Sequence, residues 1–363
     1  MIPIKSSENP RILHIDVLRI LSIYAVVILH ISAPFAANMN TYGARWWWIG
    51  NLGDSATRWC VPVLILISGR LMLCSDREES ILLFLRKRLS KVIFPLIFWS
   101  FLYLINMLRK SELGIQWDMS LLKLFLTNLY TGNVHIHLWY LYMLIGLYLI
   151  TPIIKPYVNN VKKDNFIYFI VIWFISNGVI VFLEKFTVYN IGINLSFFHW
   201  SLGYYILGFL LERYNPSEKQ RKIAYIFGFL GFVVTAYGTY LLTVNNVGQL
   251  VEHLYSYLAP NVIVMSISVY ILFKNIHWDR VIDNIPILNT IISSFNKTSF
   301  GIYLVHLLVL DIIYSGELGI SIKASSFNPI IGIPLVSIIT FLVSHLVVLI
   351  LQKIPILNKA VPK

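Results

Sequence analysis

Cysteine is nearly missing from this chain: Cys60 and Cys74 are the only two in 363 residues. Both fall in one apolar run, where they suit neither a disulfide framework nor a metal site and read as packing residues. Charge is scarce as well. Asp, Glu, Lys and Arg supply 13% of the residues, against about 25% in a soluble domain. With 57% of residues hydrophobic, the chain has too little polar surface to cover a soluble core of this length. Internal repeats and low-complexity tracts are missing too, which leaves a single-domain reading over residues 1–363.

What the chain has instead is long apolar runs. Ten of them, each long enough to cross a bilayer, cover 13–33, 56–74, 92–108, 138–154, 165–183, 195–211, 223–243, 256–273, 299–315 and 330–351. None alternates apolar with polar as a membrane-spanning strand does, so the expected fold is all-α, a polytopic transmembrane bundle of about ten helices. If the helices alternate in direction, Lys and Arg favour the side of the N-terminus by roughly three to one. That bias places both termini in the cytoplasm and accounts for the net charge of +12 without a nucleic-acid partner. Ala33–Ala37 resembles a signal-peptide cleavage region, but Asp16 and Arg19 precede the apolar stretch and nine spans follow it, so a retained first helix is expected. The longest connections, 34–55 and 109–137, read as outer loops, with Trp46, Trp47, Trp48 and Trp117 in the interfacial aromatic belt.

Ionisable side chains inside a bilayer are costly and mark functional sites by default. Three groups stand out. In the first span Arg19 and His30 are eleven residues apart, three turns plus roughly 20°, so they share a face about 16 Å apart along the axis. Asp16 lies one turn before Arg19 and can pair with it. The same residues also fit a snorkelling arginine and a satisfied buried histidine. At the cytoplasmic ends, Ser68 and Arg70 close the second span, and Arg86, Arg88 and Lys91 lead into the third. They suit the phosphates of a nucleotide-bearing donor, although positive-inside charge alone explains most of them. Toward the outer ends lie His30, Arg58, His137 beside Trp139, and His199. Aromatic and polar groups side by side suit a sugar, and they also suit an ordinary aromatic belt with polar caps. His306 falls near mid-membrane, where it fits a donor path and a packed histidine equally. His345 stands in no motif and reads as structural. The histidines have no carboxylate or cysteine partners at ligand spacing, so no metal is expected.

The same positions carry a resemblance. Asp16-Val-Leu-Arg19, the Arg19-to-His30 spacing, Arg58 leading into Val61-Pro62-Val63 and Ile67-Ser68-Gly69, and the basic stretch 86–91 before Pro95 all match the acyltransferase 3 family. So do His137-Leu-Trp139-Tyr-Leu, the stretch Tyr204–Gly208, and Ser299-Phe-Gly-Ile-Tyr-Leu-Val-His306. They occur in family order across nearly the entire chain, which resembles these integral-membrane O-acyltransferases of bacterial surface carbohydrates. The family often has two arginines three apart before the third span; here Arg88 is followed by Lys91, which keeps the charge but not the bidentate geometry. Many members also carry a soluble C-terminal domain, and the layout here looks like the stand-alone members.

What the resemblance implies is a reaction. Acetyl-CoA, or another short acyl-CoA, is the expected co-substrate, with its phosphates on Arg19, Arg70, Arg86, Arg88 and Lys91 and its thioester reaching His30. A sugar hydroxyl is a weak nucleophile near pH 7, so His30 either deprotonates it or carries the acyl group briefly. Asp16 orients Arg19, and Arg58 and His137 hold the acceptor or the oxyanion. The expected partners are acyl-CoA, a carbohydrate or lipid-linked glycan and membrane lipids, in a bacterial cytoplasmic membrane. A transporter or flippase for a glycan is the competing class, and it lacks support from paired repeats.

Overall fold

A computed structural model describes residues 12–75, 79–111, 114–187, 200–317, 319 and 321–363. Among them nine helical stretches are long and apolar enough to cross a membrane, and no β-strand is present beyond one isolated bridge between Asn38 and Gln249. The chain is a multi-pass, all-helical membrane protein. The expected sixth span, 195–211, corresponds to a helix Trp200–Arg213; its first residues and His199 lie outside the described residues.

Helix α1 (Leu13–Ala37) runs the full apolar stretch and stops where Asn38 turns extended, φ −147°. The Asn38 side chain then accepts from the amides of Asn40 and Thr41, starting α2 (Met39–Thr57). Here the structure corrects the sequence reading: most of the expected outer loop 34–55 is helix, broken once at Gly43, φ +74°. Arg58 and Trp59 keep helical backbone angles, so α2 passes into α3 (Cys60–Leu73). The polar residues that disguised α2 are used inside the bundle. Asn51 Nδ2 donates to the Ala236 carbonyl at 2.9 Å, Asp54 pairs with Arg58, and Trp47 Nε1 donates to the Ala36 carbonyl. Trp47 is fully buried, so it does not belong to an aromatic belt, whereas Trp117 is exposed.

Helix α4 (Ile81–Lys110) is capped by Ser80. The second expected loop holds a helix too, α5 (Met119–Thr131), started by the Asp118 carboxylate and ended by Gly132 at φ +75°. It buries only Leu121 and exposes Leu122, Leu124 and Leu126, the pattern of a helix lying at an interface. Helix α6 (Trp139–Asn160) follows, then α7 (Lys163–Trp173) and α8 (Val181–Phe186), joined by a π-helical turn over Phe174–Ile180. Helices α9 (Trp200–Arg213), α10 (Glu218–Asn245), α11 (Pro260–Lys274), the short α12 (Trp278–Asn284), α13 (Ile287–Ser315) and α14 (Pro329–Leu351) complete the bundle.

Two glycines set the tightest crossing. A Cβ on Gly69 would stand 1.8 Å from the Tyr205 carbonyl oxygen, and one on Gly208 would stand 2.0 Å from the Leu66 carbonyl oxygen. Backbones of α3 and α9 therefore touch, the close approach that small residues permit between membrane helices. After α14 the chain turns back through Ile356, φ +72°, into a final turn α15 (Leu357–Ala360). This segment is held in place: Trp99 Nε1 donates to the Ala360 carbonyl at 2.9 Å, Gln352 Nε2 to the Val361 carbonyl at 3.1 Å, and Lys91 Nζ to a main-chain oxygen of Lys363 at 3.2 Å. Ala360 and Val361 are fully buried.

Candidate functional site

Helices α1 and α13 run in the same direction, and two polar rungs join them. The lower rung is at the basic end of the bundle. Arg19 Nη1 donates to Asn296 Oδ1 at 2.8 Å, and Asn296 Nδ2 donates to Asp16 Oδ1 at 2.9 Å. Arginine can only donate and the carboxylate only accept, so both faces of the Asn296 amide are fixed. Asn296 gave no sequence signal: it lies 280 residues from Asp16 and stands just before the Ser299–His306 stretch.

Above this rung is a cavity of about 240 Å³ lined by Arg19, Ser68, Arg88, Lys91, Asn296 and Lys363, with Tyr140 and Tyr303 among its walls. It brings together four of the six residues expected at the donor, Arg19, Ser68, Arg88 and Lys91, from three different helices. Arg70 and Arg86 are not among its lining residues. Arg70 pairs with Glu212 at 3.4 Å, which also meets His14 at 3.3 Å and accepts from the Tyr270 hydroxyl at 3.2 Å. That cluster ties α1, α3, α9 and α11 together. Arg86 is exposed, and Asp16 acts on the cavity through Asn296 and Arg19. Ser68 donates to the carbonyl of Leu64 in its own helix at 2.9 Å.

The upper rung is aromatic. The rings of His30 and His306 lie 5.4 Å apart, and His306 is 5.3 Å from His137. His135 continues the group: its Nδ1 is 2.9 Å from Nδ1 of His137, and its ring stacks on Tyr103 at 4.1 Å. His137 Nε2 donates to the Leu304 carbonyl at 3.4 Å, so its Nδ1 accepts from His135. His135 precedes α6, and burial pushes its imidazole down to about 4, against the opposing pull of Asp311. Tyr303 closes the floor of the group: its hydroxyl donates to the His137 carbonyl, and its ring stands 5.2 Å from Tyr140. The cavity and the histidines thus meet at Tyr303 and Tyr140, and His30 is not among the cavity's lining residues. Four histidines from three segments converge, where the sequence had singled out His30 and His137 and left His306 open. His135 was not among the residues that the sequence singled out.

On the other flank Arg58 is held by Asp54 in a bidentate pair, Nε to Oδ1 at 2.7 Å and Nη2 to Oδ2 at 2.7 Å. Its guanidinium lies 4.0 Å above the Tyr255 ring, whose hydroxyl bonds Asn51. Its charge is therefore paired, and its Nη2 donor engaged, before any ligand arrives. Beside it Trp139, Trp200 and Tyr257 form an aromatic shelf, with centroids 5.8 Å, 6.1 Å and 6.5 Å apart. His345 is bonded to Thr298 at 2.8 Å and stacked on Phe295 at 4.1 Å, a packing role.

In comparisons with known proteins, a family model described as an acyltransferase domain matches residues 12–349. No curated protein and no solved structure matches the chain.

Proposed function

The chain belongs to the acyltransferase 3 family, and we propose that it transfers a short acyl group, acetyl in the first place, from acyl-CoA to a hydroxyl of a surface carbohydrate or its lipid-linked precursor. The membrane would be the bacterial cytoplasmic one, with the basic end of the bundle inside. The layout resembles stand-alone members such as the enterobacterial common antigen O-acetyltransferase, and an envelope glycan is the acceptor class that this resemblance suggests.

One observation carries the reading: a cavity edged by Arg19, Arg88 and Lys91 leads from the basic end to the floor of a histidine group. Guanidinium and ammonium groups recognise phosphates by charge and hydrogen bonds. The CoA phosphates are anchored there, and the pantetheine arm extends along the roughly 16 Å between Arg19 and His30. Movement of the Tyr303 ring opens the last step. At His30 the acceptor hydroxyl oxygen bonds to the thioester carbon and the C–S bond breaks. His30 takes the hydroxyl proton and returns it to the departing thiolate. If His30 carries the acyl group first, its ring nitrogen forms the bond to the acyl carbon and the hydroxyl displaces it in a second step. The Trp139, Trp200 and Tyr257 shelf offers the apolar surface on which a sugar ring rests.

The test is label transfer from radiolabelled acetyl-CoA to envelope glycan, in membranes holding wild type or His30→Ala at matched levels. Label with wild type and not the variant is expected. Equal label with both would remove His30 from the chemistry, and glycan movement across liposomes without any donor would favour a carrier.

A further inference from the structure

His306 has an unusual hydrogen-bond balance for a side chain that is fully buried. Its Nδ1 faces two carbonyl oxygens of its own helix, Tyr303 at 2.7 Å and Ile302 at 3.2 Å. A carbonyl cannot donate, so Nδ1 carries the proton and Nε2 keeps a lone pair. That Nε2 is buried with no hydrogen-bond partner among the described residues. Leaving a buried acceptor unpaired costs about 1–3 kcal/mol, and such an atom in a folded interior asks for an explanation.

The neighbour that can supply one is His30. Its ring stands 5.4 Å from His306 and makes no hydrogen bond to a described residue. The pair His135 and His137 gives the scale: with nitrogens 2.9 Å apart, their centroids are 5.0 Å apart. The His30–His306 spacing is a few tenths of an ångström longer. An approach of the two rings by that much would bring them to the spacing at which the other pair is bonded.

Resting on the acyl-transfer reading above, we infer that His306 is a positioning residue for His30: its Nε2 accepts the N–H of one His30 nitrogen and so keeps the other unprotonated toward the acceptor hydroxyl. When His30 takes the hydroxyl proton, His306 holds the resulting imidazolium through the same bond until the thiolate recovers the proton. The proton balance of the transfer is unchanged. Tyr303 is part of the arrangement, since its carbonyl fixes the His306 tautomer while its hydroxyl closes the cavity.

Two variants of similar volume separate this role from packing. His306→Gln keeps a side-chain acceptor, and His306→Met keeps the bulk without one. Both are assayed beside wild type for kcat and for KM of acetyl-CoA. The expected result is a kcat lowered on the order of 100-fold in His306→Met, within the range of positioned acid–base groups, with KM within about twofold, and a kcat for His306→Gln at least roughly tenfold above that of Met. Equal kcat in the two variants, or wild-type kcat in His306→Met, would overturn the inference while leaving the acyl-transfer reading standing. No transfer by wild type would overturn both. Failure of both variants to accumulate would assign His306 to folding and also overturn it.

Discussion

Asn296 accepts from Arg19 at 2.8 Å and donates to Asp16 at 2.9 Å, so a single amide ties a cation lining the cavity to the carboxylate one turn before it. The amide holds the Arg19 guanidinium in place at the cavity wall.

Replacing Asn296 with Leu should damage both roles. The Arg19 and Asp16 groups lose a buried partner, at a cost of about 1–3 kcal/mol. KM for acetyl-CoA should rise several-fold while kcat changes less, because the loss is in donor binding rather than in the chemical step. Steady-state kinetics and thermal unfolding in detergent check both numbers; an unchanged KM would remove Arg19 from donor binding.

The crossing of α3 and α9 predicts a contrast between glycines. Gly69→Ala forces a methyl onto the Tyr205 carbonyl, which has no room to retreat. It should destabilise by at least roughly 3 kcal/mol, beyond ordinary overpacking. Gly146 in α6 has open space around the same position, so Gly146→Ala should be neutral or stabilising by up to about 1 kcal/mol. Melting temperatures of the two variants decide it.

Tyr303 separates the cavity from the histidine group. Tyr303→Ala should merge the two and admit water to the thioester, raising hydrolysis of acetyl-CoA relative to transfer on the order of tenfold. Free thiol release without acceptor measures it. Tyr303→Phe keeps the ring and loses only the bond to the His137 carbonyl, so its hydrolysis ratio should stay near wild type.

The depressed imidazole of His135 gives the protein a pH dependence with a defined sign. It is neutral in the folded state down to about 4, while an unfolded chain protonates near 6.5. Between those values the unfolded state binds the extra proton, so stability falls as pH drops from about 6.5 to about 4. In His135→Gln that part of the slope should vanish, which melting curves across the range would register. A slope of unchanged size would place the titration elsewhere.

The helices crossing the membrane were legible because their runs of Leu, Ile, Val and Phe exceed a bilayer's thickness. Helix α2 was not, because Asn51 and Asp54 lower its hydropathy, and only the bundle shows that they are answered by Ala236, Tyr255 and Arg58. Helix α5 was hidden for the opposite reason: at 13 residues it is too short to span. Helical spacing put Arg19 and His30 on one face and the family resemblance proposed a role for them, whereas Asn296 and the closeness of the His30 and His306 rings depend on how α1 and α13 are laid side by side, which no local pattern encodes. Gly69 and Gly208 were quoted for their place in a family pattern, and their positions are explained by backbone contact.

The turned-back segment after α14 has a practical side. Pro362 and Lys363 stand in the wall of the cation-lined cavity, so a group attached at Lys363 would sit beside the opening that the proposed donor would use. A fluorescent reporter or affinity handle placed there on a short linker is expected to behave as a plug, and an inactive tagged preparation would say more about the position of the handle than about the enzyme.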